Sequence, residues 1–428
     1  MSRKGIYSGT VLTLASIQLI ESVAVGLPLS YFPQYVLGLG GTIASIGLFT
    51  STFSLAAAVM STQLGMLSDK YGRKRLIMLG IVGDVIWGTL TGLAPSWIWL
   101  LFIRIVNGAV SSAAMISAEA FLIDTVDPQR RGEATGFVMS MSMVGHQLGP
   151  LFGGLIQHTS VTLGTDLITS YRIPYFADSI LAGIALVLVA WKLQEPKKTI
   201  HAGMQVGGAG KVPLSFEFKI MLIGAFATGV GFGFAMPIMV LFYADKFGLQ
   251  PVEIGMLTSL FGLVGFFASW YAGRLADKIG RMIIIGVGGL SSRISDFFLP
   301  ITDNVFQAAG LAGIRSLAGS ISMPAMRALR ADISPPERRG RYFGMFNTAM
   351  TAGMIAGPIF GTYLYENFRY TDFSLGPVTL PGYGIPFFIN SILGIATTLM
   401  LVILVKDPTR QKTRPVTPPR TQTTEDDP

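Results

Sequence analysis

The chain has 428 residues, half of them apolar and only 13% charged, and its net charge is +8. An ordinary soluble domain carries about a quarter charged residues, so this composition excludes a soluble globular protein. We therefore predict an integral membrane protein, in which about a dozen spans of roughly 20 residues account for nearly the whole length.

Basic residues concentrate in alternate gaps between the apolar runs. This asymmetry distinguishes a role of the positive charge in membrane topology from a role in nucleic-acid binding. In a soluble chain it would favour nucleic acid, whereas here it follows the positive-inside rule. We expect both termini in the cytoplasm, the lipid bilayer as a partner, no nucleic-acid partner, and a place in the cell (inner) membrane. Because Glu21 interrupts the first apolar run, we interpret that run as a retained span and not as a signal peptide.

Apolar segments of about 20 residues define the predicted spans. They lie near residues 9–33, 43–66, 76–94, 98–123, 134–157 and 173–193, and then near 218–244, 252–273, 283–300, 304–329, 342–365 and 383–405. We thus predict an all-α membrane protein with 12 transmembrane helices in two pseudo-symmetric six-helix halves, residues 1–193 and 217–405. Residues 194–216 form a cytoplasmic linker, and residues 406–428 form a disordered cytoplasmic tail.

Several features recur at a spacing of 208 residues, which indicates an internal repeat. Residues 65–75, GMLSDKYGRKR, return in part as residues 273–281, GRLADKIGR. The other pairs with this spacing are Asp124 with Asp332, Gly145 with Gly353, Gly149 with Gly357, Pro150 with Pro358, and Gly153 with Gly361.

The repeated loop has residues suited to a contact between helix ends. Gly65 and Gly72 allow a tight turn and a close approach of helices, while Asp69 offers a negative charge to a helix N-terminus. Arg73 is a cation for a carboxylate. We expect Asp69 to contact the start of the eleventh span near Arg341. The expected partner of Arg73 is Asp124, and the second copy supplies Asp277, Arg281 and Asp332.

These contacts would form a cytoplasmic gate that closes when the pore faces outward. The alternative is a basic loop that only sets the orientation of the protein in the membrane. That alternative accounts for the lysines and arginines but not for Asp69 or the glycines.

The chain resembles the major facilitator superfamily of transporters over nearly its full length. Residues 65–75 fit the family's loop motif G-x-L-x-D-[RK]-x-G-R-[RK], and residues 100–108 resemble its fourth-span motif, with Asn107 where glutamine is usual. Residues 145–154, GHQLGPLFGG, match G-x-x-x-G-P-x-x-G-G. This last motif is associated with the drug/proton antiporter branch, and the resemblance therefore implies export.

The Gly-Pro motif places Gly145, Gly149 and Gly153 on one face of the fifth span, where they permit close helix packing. Pro150 removes a backbone donor and bends the helix, and Gly357 and Pro358 repeat the arrangement. A pliable span and ordinary small-residue packing are both compatible with this pattern.

Ionisable residues inside spans are costly and point to function. In the resembled fold the first, fourth, seventh and tenth spans line the cavity, so Glu21, Arg104 and Arg315 should face it. We predict Glu21 as the proton or cation site, with Arg104 as its modulator. The alternative is a static ion pair between these two residues.

Two further residues have a less specific signal. His146 is either a hydrogen-bonded structural residue or a proton relay, and Glu119 forms either a structural salt bridge or a proton-release site. Asp84, Arg293 and Asp296 lie on spans that the resemblance makes peripheral, and we expect them to satisfy each other or neighbouring helices.

The second half contributes aromatic and methionine side chains that can adapt to apolar groups of different shape. They favour an amphipathic organic substrate over an inorganic ion. These residues are Phe226, Phe232, Phe234, Phe242, Tyr243, Phe261, Phe266, Trp270, Met236 and Met239.

No sequence feature supports an enzyme. The chain has no cysteine, its three histidines at 146, 158 and 201 form no metal cluster, and no phosphate loop or metalloprotease motif is present. We expect no cofactor, no metal and a monomer driven by the proton gradient. The predicted function is proton-coupled efflux of hydrophobic or amphipathic compounds. The alternatives are export or flipping of a lipid-like or sugar-containing metabolite, and a membrane receptor or scaffold that transports nothing.

The first loop copy is richer in basic residues than the second, which predicts unequal roles. We expect Asp69→Asn to reduce transport more than Asp277→Asn does, measured as initial rates at matched protein levels. Equal losses in the two variants would contradict this asymmetry.

Overall fold

The structure is a computed structural model that describes residues 9–196, 214–335, 339–375 and 378–405. Most of the predicted linker and the whole predicted tail lie outside the described residues. Within the helices, the side chains of Trp270 and of residues 272–278, including Asp277, also lie outside the description.

Helices make up nearly all of the described chain, and each half contributes six spans. In the first half, the first span consists of α1 (Gly9–Gly26), a 3₁₀ turn (Leu27–Ser30) and α2 (Phe32–Gly38). Pro28 and Pro33 fall in the first turns of the two segments that follow α1, where proline is tolerated. The remaining helices are α3 (Ile43–Tyr71), α4 (Arg73–Gly92), α5 (Trp97–Thr125), α6 (Arg131–Thr162) and α7 (Leu167–Lys192).

The second half repeats this order without the break in its first span. Its helices are α8 (Phe216–Phe247), α9 (Pro251–Ile279), α10 (Arg281–Phe298), α11 (Val305–Ile333), α12 (Arg339–Phe368) and α13 (Ile385–Leu404). A short hairpin, β1 (Phe373–Leu375) and β2 (Val378–Leu380), lies between α12 and α13 and pairs Phe373 with Leu380. The predicted all-α architecture of twelve spans in two halves is confirmed.

Nine of the described helical segments are long and apolar enough to cross a membrane. Helices α6, α11 and α12 are long enough but are not among these nine. All three pack between two other helices: α6 against α1 and α9, α11 against α9 and α10, and α12 against α8 and α3. Helices that face other helices more than lipid can carry glycine, serine and polar residues in place of large apolar ones.

The Gly-Pro motif forms the contact between α6 and α1. A Cβ atom on Gly145, Gly149 or Gly153 would overlap the backbone of Leu19, Gly26 or Leu27. Helix α12 repeats this contact with α8 through its own three glycines, Gly353, Gly357 and Gly361. Helix α6 continues through Pro150 from Arg131 to Thr162. In this conformation the motif therefore serves close helix packing.

The two halves share one hydrophobic core at the end of the bundle opposite the basic loops, which we call the closed end. This core includes Tyr35, Phe49, Phe242 and Tyr365, each no more than 1% exposed. At the other end, which carries residues 65–75 and which we call the basic end, each half has its own core. The halves are thus joined at the closed end.

Four hydrogen bonds between described residues of the two halves support this arrangement. At the closed end, the backbone N–H of Ala44 donates to Glu366 Oε2 over 2.8 Å, and Thr362 Oγ1 donates to the carbonyl oxygen of Ala44 over 3.3 Å. Nearer the middle of the bundle, Ser51 Oγ donates to the carbonyl oxygen of Ile355 over 2.6 Å. The backbone N–H of Leu151 donates to Ser259 Oγ over 3.2 Å.

The contact of α6 with α1 predicts a local difference between two glycines of the same helix. Gly149→Ala should lower the thermal stability of the protein in detergent, because the added Cβ overlaps Gly26. Gly136→Ala is the matched control, since a Cβ at Gly136 meets no atom within 4 Å. This control should be neutral or gain up to about 1 kcal/mol from helix propensity. Equal melting temperatures for the two variants would exclude a close contact at Gly149.

Candidate functional site

The loop between α3 and α4 is organised around Arg73. Its guanidinium lies 2.5 Å from Asp69 Oδ1, and its Nε donates to Asp124 Oδ2 over 3.2 Å. The predicted contact of Arg73 with Asp124 is thereby confirmed. Gly72 has φ +106°, a backbone conformation that a side chain would strain, so glycine is required at this turn.

A carboxylate from the end of the first half completes this loop. Glu195 accepts hydrogen bonds from the backbone N–H groups of Arg73 and Lys74, over 2.6 and 3.0 Å. These are unpaired donors of the first turn of α4, and a negative charge is favourable there. Sequence reasoning missed Glu195 because it lies 122 positions from Arg73.

The second copy of the loop repeats the central ion pair. Arg281 contacts Asp332, as Arg73 contacts Asp124, and Gly280 has φ +97° in the place of Gly72. Asp277 lies outside the described side chains.

Two expectations about the first copy differ from the structure. Among the described ion pairs, Asp69 is bound by Arg73, four residues further along the chain, and not by the start of the eleventh span. Gly65 has room for a side chain, since an added Cβ would come no closer than 3.9 Å to Ile116. Its absence of a side chain is therefore not required for helix contact here.

A polar cluster lies inside the first half, away from any loop. It comprises three carboxyl groups, Glu21 on α1, Asp84 on α4 and Asp178 on α7, which lie within electrostatic range of one another. Asp84 Oδ1 is 2.5 Å from Ser111 Oγ and accepts from Asn107 Nδ2 over 3.4 Å. We call Glu21, Asp84 and Asp178 the acidic cluster.

One carboxyl oxygen of Glu21 is unpartnered within this cluster. Its Oε1 is buried and has no donor among the described residues. Arg104 on α5 forms no ion pair with Glu21, because its guanidinium packs over the rings of Phe32 and Phe53 at 5.1 and 5.8 Å. The alternative of a static ion pair between Glu21 and Arg104 is wrong for this conformation.

The prediction that ionisable residues of the peripheral spans satisfy neighbouring helices is confirmed for Asp84, whose partners Ser111 and Asn107 lie on α5. Asp84 points inward to the acidic cluster and to α5, and Asp178 is a further member that sequence reasoning missed. The signal for Asp178 was available, since it is a lone carboxyl group in the middle of the apolar span α7.

The second half contains a polar cluster of opposite charge balance, with two arginines and one carboxylate. Asp296 is 3% exposed and lies 3.7 Å from the guanidinium of Arg293 and 3.5 Å from Nε of Arg315. The predicted pairing of Arg293 with Asp296 is confirmed, but the same carboxylate also holds Arg315 of α11. Arg293 lies 3.5 Å from Asn390 Oδ1 on α13. We call Arg293, Asp296 and Arg315 the arginine cluster.

The other predicted side chains lie apart from these clusters. His146 is half-buried on α6, whose backbone contacts α1 at Gly26. Glu119 is exposed on α5 and forms no ion pair with a described residue, so the expected structural salt bridge is absent there. Among the predicted lining residues, Phe234, Phe242 and Tyr243 are buried in the protein, while Phe226, Phe232 and Met236 are exposed on α8.

Two repeated six-helix halves, closed at one end and carrying buried polar clusters, define a multi-pass membrane carrier. The family model of the Major Facilitator Superfamily matches residues 14–218 and again residues 221–425. The chain therefore belongs to this family of transporters.

Relatives and solved structures agree with that assignment. Multidrug resistance protein 2 of Bacillus subtilis is 23% identical over 377 residues, which cover 86% of this chain and 91% of that protein. Quinolone resistance protein NorA of Staphylococcus aureus is 26% identical over 197 residues, or 46% of this chain and 47% of that protein.

Among solved structures, a bacterial homologue of the human lysosomal transporter Spinster has a TM-score of 0.73. It is 18% identical, was solved in an inward-facing and occupied conformation, and the match covers 92% of this chain and 94% of that one. A D-xylose–proton symporter gives a TM-score of 0.73 at 14% identity, with coverage of 93% and 98%. These likenesses concern the fold alone.

Proposed function

We propose that this transporter exports hydrophobic or amphipathic compounds in exchange for protons by alternating access. The observation that carries the proposal is the buried Oε1 of Glu21, an ionisable atom on the first span without a hydrogen-bond partner. A buried carboxylate without donors is costly, whereas a protonated carboxyl group is not. The two resistance proteins among the relatives support an amphipathic substrate and the direction of export.

In this proposal the basic end faces the cytoplasm, and the structure represents the conformation closed toward the outside. Glu21 receives a proton while the carrier faces outward and releases it to the cytoplasm. Substrate binding from the cytoplasm favours the ionised form of Glu21, which drives the halves to rock. The contacts of Arg73 with Asp69 and Asp124 reorganise as the basic end closes.

Exposed apolar side chains on α8 are the proposed contacts for the substrate. Helix α8 is the most enclosed of the candidate spans, with two thirds of its most apolar segment buried. The side chains of Phe226, Phe232 and Met236 are nevertheless exposed on it. An exposed apolar side chain on an enclosed helix offers a surface to an amphipathic compound, and aromatic rings and methionine adapt to different shapes.

Replacing Glu21 tests the coupling site. Glu21→Gln should abolish substrate export driven by a pH gradient in proteoliposomes, because glutamine cannot exchange a proton. Substrate binding and the melting temperature should be retained. Glu133→Gln is the matched control, since Glu133 is exposed in the first turn of α6 and should leave export unchanged. Full coupled export by Glu21→Gln would place the proton site elsewhere.

The closed end offers a second test, on the alternating step. Glu366 of α12 binds the N-terminus of α3 in the other half, where its charge is favourable by up to about 2 kcal/mol. Glu366→Ala should therefore shift the protein toward the conformation open at this end by several-fold. The native chain has no cysteine, so labelling of a single Ile238→Cys, which is fully buried in the closed-end core, reports the opening directly.

The labelling experiment has its control on the same helix. Asn367→Ala removes the exposed neighbour of Glu366, whose amide donates to the carbonyl oxygen of Tyr363 on the same helix, and should leave the labelling rate unchanged. Unchanged labelling of Ile238→Cys in the Glu366→Ala background would mean that this contact does not hold the closed end.

A second candidate is the export of an acidic lipid-like or sugar-containing metabolite. The arginine cluster favours it, because two guanidinium groups share one buried carboxylate and leave a positive excess. An anionic lipid analogue should then raise the melting temperature of the wild type and not that of Arg315→Gln.

A receptor or scaffold would instead show neither substrate movement nor dissipation of a pH gradient by the purified protein.

A further inference from the structure

We propose that Asp178 is a second proton-binding residue, which works together with Glu21 so that two protons move in each transport cycle. This inference rests on the proposed proton-coupled function. It concerns the acidic cluster within the first half, at the gap between α1, α4, α5 and α7.

Helix α4 brings Asp178 close to a second carboxylate. Asp178 Oδ2 lies against Gly88 of α4, 2.9 Å from where a Cβ of residue 88 would stand. Gly88 follows Asp84 by four residues, and such positions share one face of a helix about 5–6 Å apart. The carboxyl groups of Asp84 and Asp178 therefore face the same gap. Glycine at position 88 makes room for Asp178.

Two tyrosines give an independent sign that polar contacts are missing here. The hydroxyl groups of Tyr31 and Tyr175 are buried and have no partner among the described residues. The rings are 0% and 3% exposed, and their centroids lie 5.9 Å apart. Asp178 and Arg104 are charged groups that act on both hydroxyls. Buried hydroxyls almost always have a hydrogen-bond partner. The two unpartnered hydroxyls therefore indicate that the hydrogen bonds in this space change during the transport cycle.

The charge balance of the cluster requires bound protons. Three carboxyl groups face one guanidinium, that of Arg104, which is engaged with aromatic rings and not with a carboxylate. Asp84 from α4 and Asp178 from α7 lie within electrostatic range of Glu21, and Arg104 from α5 lies within range of both of those aspartates. Carboxylates that act on one another in an apolar interior do not all ionise together, and their protons are taken up as a coupled set.

The hydrogen bonds of the cluster distinguish Asp178 from Asp84. Asp84 already accepts from the side chains of Ser111 and Asn107, whereas no described residue donates a hydrogen bond to Asp178. A proton on Asp178 therefore displaces no existing donor. Within the described residues, no three carboxylate or histidine side chains converge as a metal site requires. We infer that the cluster takes protons at Glu21 and Asp178.

Infrared spectroscopy tests proton binding without transport. Difference spectra of the purified protein between acidic and neutral pH should contain a protonated-carboxyl band that is reduced in Asp178→Asn and also in Glu21→Gln. Asp372→Asn, which replaces an exposed carboxyl group outside the cluster, should leave the band unchanged. An unchanged band in Asp178→Asn overturns the proposal. If this variant fails to fold, Asp178→Glu serves instead and should retain a shifted band.

Transport then measures the number of protons. With the membrane potential held at zero, one pH unit supports about a tenfold gradient of an apolar fluorescent substrate per proton exchanged. The wild type should reach about 100-fold and Asp178→Asn about tenfold. Equal gradients in the two proteins overturn the two-proton inference. Absence of any pH-driven gradient in the wild type would instead refute the proposed function, and the infrared result would still decide whether Asp178 binds a proton.

Discussion

A charged side chain inside an apolar helical bundle must find its counter-charge or its hydrogen-bond donors within the protein. This constraint explains how the two halves differ despite their common fold. The first half contains three carboxyl groups and one arginine between its helices, and the second contains two arginines around the carboxylate of Asp296. The halves therefore offer opposite electrostatic environments to whatever passes between them.

Close helix packing fixes where these buried charges lie. Glycines on α6 and α12 bring these helices into backbone contact with α1 and α8, so the first span of each half is held along its length. Glu21 lies on α1 between the residues that contact α6. Its position in the acidic cluster depends on the small residues of the neighbouring helix, and the packing motif and the ionisable group thus belong to one arrangement.

Helices α3 and α12 carry polar contacts at both ends of the bundle. At the closed end, Glu366 near the end of α12 binds the start of α3. At the basic end, Asp69 near the end of α3 is engaged by Arg73. Both carboxylates lie near the C-terminal ends of their helices, and these two helices pack against each other.

The sequence alone determined the class of protein and its repeated plan. Long apolar runs leave few choices in a membrane, because only helices satisfy their own backbone hydrogen bonds there, and so the twelve spans could be predicted. The ion pair of Arg73 with Asp124 could also be predicted, since its two residues recur as Arg281 and Asp332 at one spacing.

Tertiary structure alone decided where the buried charges meet. Asp84, Asp178 and Asp296 lie on spans that carry no shared motif, and their direction depends on the rotation of each helix about its axis. That rotation is set by contacts with several neighbours at once, such as Gly88 against Asp178. Hydrophobic periodicity is weak in helices that are apolar on nearly all sides, so the sequence could name the ionisable residues but not bring them together.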